Sequence, residues 1–394
     1  MLTPQFKTVY TLRQYLLTLF DSRGLTRTLG EVDVCHDERG RPGFSAGNSA
    51  AVFRIRLGGR IRSLRCYLRP MRHLKEIYGD RLLEKELYLH TSAQTGVWVD
   101  VVLGDWIEGL TLHEAAAQAA ALRDRECLQI LARLFDRLAF ALVTDDCAHG
   151  DLKPENIIVS DDGTLHPIDF DASYLPAFAG ETSPELGTAA YQHPARTAAD
   201  FDERIDDYPA ALISTALHAL AADPTLWDRY GSTDGLLYCP QRIAADAAYR
   251  ETLALFEQRG MAVQYRIAQL LRAPSLRLFG LAGLLAEAIR EKPAAAASDE
   301  EPELFVESGR WGYRTPECVV IAPLYDSGFD FTEGLAAVQL GSTWHYIDTA
   351  GRTRLSCPDC TAVKPFRGGR AQVVRNGERQ EIAHPLKARQ YQEG

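Results

Sequence analysis

The spacing of apolar residues changes along the chain, and the changes divide it. Leu12, Tyr15, Leu16 and Leu19 recur at helical spacing and predict one amphipathic helix near 12–20. Residues 42–57, PGFSAGNSAAVFRIRL, read as strand, turn, strand. Gly58-Gly59 then makes a hairpin into a third strand over 61–67. The segment 80–90, DRLLEKELYLH, reads as a helix presenting Glu84 and Glu86, and 97–103 as an apolar strand. Thr111-Leu112-His113-Glu114 has the capping-box pattern that opens a helix. From 127 to 145 one face carries Leu131, Leu134, Phe135, Leu138 and Leu142, which predicts a long buried helix. Four further helices are expected over 210–221, 246–258, 261–271 and 275–290.

The last quarter has a different texture. Residues 292–302 form a small-residue and acidic linker, KPAAAASDEEP. Beyond it the chain repeats itself: Trp311-Gly312-Tyr313 recurs as Trp344-His345-Tyr346, and FTEGLAAV at 331–338 recurs loosely as FRGGRAQV at 366–373. Short alternating runs between glycine and polar turns predict β-hairpins there. The pattern therefore predicts an α+β chain: a helical extension over 1–40, a strand-rich part over 41–109, a helical part over 110–291, a linker over 292–303, and an all-β domain over 304–394.

Composition narrows the function. With 46% hydrophobic and 24% charged residues the chain is an ordinary globular one, and its net charge of -10 argues against nucleic acid as the partner. Arginines cluster over 54–72, where a nucleotide-binding part would account for them as easily as an RNA-binding patch. No apolar run is long enough to span a membrane, the first residues lack a secretory pattern, and the eight cysteines then read as reduced thiols, so a cytoplasmic location is expected. Cys357-Pro-Asp-Cys360 is the one close cysteine pair, better read as turn residues than as half of a zinc site.

The candidate chemistry sits between the long helix and the later helices. The run HGDLKPENIIV, 149–159, ends in a β-branched strand; the turn Asp161-Asp162-Gly163 follows, and the chain returns to Asp169-Phe170-Asp171. A hairpin that holds Asp151, Lys153, Asn156 and Asp169 at these spacings suits phosphoryl transfer, which needs positioned groups and neutralised charge. The segment resembles the catalytic loop of the protein-kinase-like family, and 304–380 resembles the WG-repeat family.

The resemblance implies a bilobal fold with a β-rich N-lobe and an α-helical C-lobe, followed by the WG-repeat domain. It also implies an ATP- and Mg²⁺-dependent phosphotransferase of bacterial type acting on a serine or threonine hydroxyl of a protein. Asp151 and Lys153 would be catalytic, and Asn156 and Asp169 would hold the metal. The nucleotide would meet Gly47, Asn48, Ser49 and Val52 of the first turn, Arg65 at the place of the third-strand lysine, and the hinge residues Asp105, Trp106 and Ile107. Glu84 would be the helix carboxylate that pairs with Arg65. Gly104 would leave space at the back of the adenine pocket.

The sequence departs from the family at Gly150, for the arginine of HRD, at Arg65, for lysine, at Asp171, for the glycine of DFG, and at Ala195, for the glutamate after proline. These departures keep two other readings open: a nucleotide-binding scaffold without catalysis, and a small-molecule kinase, which HGD favours. The repeats would dock a protein or peptide partner.

Overall fold

The computed structural model describes residues 9–385 except 38, 48, 93, 234, 291–301, 308, 315–318, 350, 352 and 376, and the backbone alone of Ala322. The chain divides into two compact units, Met1–Glu291 and Lys292–Gly394.

In the first unit, α1 (Leu12–Phe20) starts on a capping box made by Thr11 and Gln14. The strands β1 (Asp33–Val34), β2 (Phe44–Ala46), β3 (Ala50–Leu57), β4 (Arg60–Tyr67), β5 (Leu82–His90) and β6 (Gly96–Asp105) form one sheet in the order β1-β3-β4-β6-β5, with β2 on β3. Alternation explains β3: Ala51, Phe53 and Ile55 are buried on one face, while Val52, Arg54 and Arg56 face the other way. On β4 Leu64 and Cys66 join the buried face and Arg65 does not. The helix α1 covers that face, burying Tyr15, whose hydroxyl donates to Tyr67 O at 2.6 Å.

The expected helix over 80–90 is not there. A short α2 (Leu74–Tyr78) and one 3-10 turn lead directly into β5, which pairs antiparallel with β6. The reason is a β-bulge. Lys85 takes φ +50°, the register shifts between Leu83 and Leu87, and Lys85 N donates to Asp100 Oδ1 at 2.7 Å. Leu82, Glu86, Leu87 and Leu89 point inward, so the extra residue converts a two-residue alternation into one that imitates helical spacing.

The later part of this unit is helical. Its elements are α3 (Leu112–Ala121), α4 (Arg125–Thr144), α5 (Asp207–Ala222), α6 (Leu226–Tyr230), α7 (Ala247–Gln258), α8 (Ala262–Leu270) and α9 (Leu281–Arg290). The helix α3 carries the expected capping box: Thr111 Oγ1 accepts from Glu114 N at 3.1 Å, and Glu114 Oε2 accepts from Thr111 N at 2.9 Å. Almost every residue of α5 is buried, as befits a helix packed on all sides. A small sheet of β7 (Leu110–Thr111), β8 (Ile157–Val159) and β9 (Leu165–Pro167) lies beside this helical core.

The second unit is all β. Sheets run β10 (Glu303–Glu307), β11 (Arg310–Arg314), β12 (Val319–Tyr325); then β13 (Ser327–Gly328), β14 (Leu335–Leu340), β15 (Thr343–Asp348), β16 (Thr353–Cys357); then β17 (Cys360–Val363), β18 (Arg370–Arg375), β19 (Glu378–Ala383). The repeat is physical. Tyr313 OH donates to Phe329 O at 2.7 Å and its ring meets Phe331 at 4.7 Å; Tyr346 OH donates to Lys364 O at 2.8 Å and its ring meets Phe366 at 4.7 Å. The aromatics are therefore core, each with its hydroxyl satisfied.

Candidate active site

The run 149–159 is held from below by α5. Asp206, just before that helix, accepts from Gly150 N at 3.0 Å and also from His149 N. Burial pushes its carboxyl above the ordinary value, against the pull of His149. His149 Nε2 bonds Ile168 O at 2.8 Å, tying the run to the end of the β8–β9 hairpin. Arg196, on the segment after Pro194, donates to Gly150 O at 2.9 Å from the other side.

Gly150 itself has φ +79°, and a Cβ there would stand 2.0 Å from Ala172 O. Close passage of the 170–172 turn therefore excludes the arginine that the family has at this place.

Asp151, Lys153 and Asn156 converge. Lys153 Nζ is 3.2 Å from Asp151 Oδ2 and donates to Thr188 Oγ1 at 2.9 Å. Asp151 Oδ1 accepts from Thr188 N at 2.6 Å. Asn156 Nδ2 donates to Asp151 O at 2.9 Å, which turns its Oδ1 away from that residue. Asp169 lies at φ +68°, at the start of a 3-10 turn that buries Asp171. Burial pushes the Asp169 carboxyl up, while Arg65 pulls it down.

Arg65 faces this group from β4, directly opposite Val52 on β3. It pairs with Asp169 and Asp171. Burial opposes the Arg65 charge, but the two carboxylates outweigh it and hold its pKa above the ordinary value. Glu84 takes no part: it is exposed on β5, before the bulge has brought Glu86 inward. The buried Glu86 instead receives Thr28 N and Leu29 N, each at 2.8 Å, and Thr28 Oγ1 at 2.7 Å. The expected Arg65–Glu84 pair is therefore corrected. Arg65 has its carboxylates from the 169–171 turn, because no long helix follows β4 to supply one.

The first turn is only partly described, since Asn48 lies outside the described residues. Gly47 N donates to Ala50 O at 2.9 Å and closes the turn. The Ser49 hydroxyl donates to Glu185 Oε1 at 2.6 Å and accepts from Arg69 at 2.8 Å, and Arg69 also pairs with Glu185. This link between the turn and the 181–187 segment carried no signal in the sequence.

At the end of β6, where the hinge is expected, Asp105 O accepts from Ser63 Oγ at 3.1 Å and Trp106 lies under Arg54, with 5.6 Å from guanidinium carbon to ring centre. Ile107 follows, half-buried, in the irregular stretch between β6 and β7. At Gly104, where space is expected, the Ser63 hydroxyl stands beside the glycine, 2.7 Å from where a Cβ would lie.

Asp169 Oδ2 takes none of the Arg65 bonds and Asn156 Oδ1 none of the Asp151 bonds, and one carboxylate and one amide oxygen are the hard donor types that a divalent ion such as magnesium accepts.

Known proteins show matching likenesses. The chain is 34% identical over 110 residues to the serine/threonine-protein kinase PknL of Mycobacterium tuberculosis, a stretch that covers 27% of each chain. It is 35% identical over 99 residues to the probable serine/threonine-protein kinase pknA2 of Bifidobacterium longum, covering 24% of this chain and 13% of the relative. The chain thus spans about a quarter or less of the length of these curated relatives. The family model for the WG containing repeat matches residues 319–344. Over part of its length, then, the chain is similar to bacterial serine/threonine protein kinases, and its tail carries a WG-containing repeat.

Proposed function

We propose that this chain is a phosphotransferase of bilobal kinase-like fold, moving the γ-phosphate of ATP to a serine or threonine hydroxyl of a protein, with the repeat tail as the docking module. The carrying observation is the convergence of Asp151, Lys153, Asn156 and Asp169 on one hairpin, opposite the Arg65 guanidinium. Phosphoryl transfer asks little covalent chemistry of a protein; it asks for position and charge. Asp151 orients the attacking hydroxyl and takes its proton. Lys153, held between Asp151 and Thr188, faces the charge that builds on the transferred group. Arg65 meets the phosphates from the strand side. Magnesium, held by Asn156 and Asp169, would supply neutralisation of the phosphate oxygens.

One observation favours a second reading, a nucleotide-binding scaffold: Arg65 already pairs with Asp169. Transfer of labelled γ-phosphate from Mg-ATP to the chain itself and to a generic protein acceptor separates the two. Asp151→Asn and Asp169→Asn are expected to lower transfer by about 100-fold or more. Wild-type transfer no higher than that of the variants would leave the scaffold reading. Truncation after residue 302 in the same assay tests docking, and should change acceptor choice while sparing transfer to the chain itself.

A further inference from the structure

Two of the departures from the kinase pattern, arginine at 65 and aspartate at 171, meet in space. Asp171 Oδ2 accepts from Arg65 Nε at 3.0 Å and from its Nη2. Its Oδ1 accepts from Tyr67 OH at 3.0 Å and from Tyr78 OH at 2.6 Å. Asp171 is 3% exposed, and both its carboxylate oxygens are held by these donors. Burial pushes both phenols up, which keeps them hydrogen donors. Tyr67 shares β4 with Arg65, Tyr78 ends α2, and Asp171 follows β9, so the carboxylate ties three elements around one guanidinium.

We propose that Asp171 is the positioning residue for Arg65, and that the two form a matched pair replacing the strand lysine and helix carboxylate of the family. The inference rests on the phosphotransferase reading above and adds to it the residue that aims the phosphate-binding cation. The chemistry of the side chains explains the match. Lysine is a point donor, whereas arginine is a planar fork that can give one edge to a carboxylate and keep another for a ligand. Asp171 holds the edge formed by Nε and Nη2, and Nη1 takes none of these bonds. Nη1 is thereby left to donate to an anionic oxygen of a ligand, which a nucleotide phosphate provides. Removing the carboxylate would leave a largely buried guanidinium with the more exposed Asp169 as its remaining counter-charge. Asp169 contributes from the exposed side, with 37% of its side chain accessible against 4% for Asp171, so it is the partner able to turn to a metal.

The test is calorimetric titration of ATP, with and without Mg²⁺, into the full-length chain. The variants are Arg65→Lys, Asp171→Asn, the double Arg65→Lys/Asp171→Asn, and Tyr78→Phe. Cooperative thermal unfolding of each is read first; should Asp171→Asn fail to fold, Arg65→Lys and Tyr78→Phe carry the test. Arg65→Lys and Asp171→Asn should each weaken ATP binding by about tenfold or more, the loss of a charge-assisted bond. The double variant should bind no worse than the weaker single. Tyr78→Phe, which leaves the carboxylate but removes one of the two donors to its Oδ1, should show a smaller loss. ATP affinity within twofold of wild type in Asp171→Asn and Tyr78→Phe, or losses that simply add, would overturn the pairing alone. A wild-type chain that binds no ATP would overturn the phosphotransferase reading, and the pairing as a phosphate-aiming device with it.

Discussion

At position 150 the backbone turns through φ +79° within reach of Ala172 O, so the residue type there is set by a neighbour distant in sequence. Gly150→Ala combines a left-handed backbone with a collision, and is expected to cost about 3 kcal/mol or more in denaturant unfolding. The same substitution should also reduce phosphate transfer, because Asp151 follows directly. Sequence comparison showed Gly150, Arg65 and Asp171 only as three separate irregularities. Gly150 is explained by the passage of the 170–172 turn, and the other two by each other. Nothing local in the sequence marks such partners, since their side chains meet only after the hairpin closes on the sheet. Asp151, Lys153, Asn156 and Asp169 were legible because one hairpin carries all of them.

Among the elements, β5 is where periodicity misled. An inward Leu82 followed by inward Glu86, Leu87 and Leu89 satisfies a helical template, yet the cause is a bulge at Lys85. The bulge decides which glutamate is buried. Glu86 receives backbone N–H groups from the 27–29 loop, whereas Glu84 faces solvent. Glu86→Ala leaves those donors unsatisfied and should destabilise the first unit by about 3 kcal/mol. Glu84→Ala should change stability by less than about 0.5 kcal/mol and leave ATP binding untouched. Thermal or urea unfolding of the two variants side by side checks the assignment; equal effects would contradict it. By contrast, α3 and α4 were legible because cap and stripe lie within each segment.

For the molecule as a whole, stability depends on pH through carboxyls buried under the helical core. Asp207, the first residue of α5, is pushed up to about 6 by burial, although Leu278 N–H and Arg204 act against the shift. Its ordinary value is 3.8, so between about pH 4 and pH 6 the folded chain binds more protons than the unfolded one. The contribution of Asp207 is thus fully present below that window and is lost as pH rises through about 6. Melting temperatures measured across pH 4–7 should fall more steeply in wild type than in Asp207→Asn. A slope unchanged by the substitution would place the titration elsewhere. The second unit has its own aromatic cores, built by the repeated Tyr–Phe contact, which is why its repeat survived as a sequence signal.

Local sequence carried the α+β class, the helices α3 and α4, the β repeats of the tail, and the hairpin that brings Asp151, Lys153, Asn156 and Asp169 onto one segment. These depend on interactions between residues close in the chain: alternation, capping, turns and short spacings. The folded chain alone settled that 82–90 is a bulged strand, that the Ser63 hydroxyl stands beside Gly104, that Glu185 reaches Ser49 and Arg69, and that Arg65 is held by Asp171. Those outcomes depend on which distant side chains share a desolvated volume, where a charge must find its counter-charge and a Cβ its room.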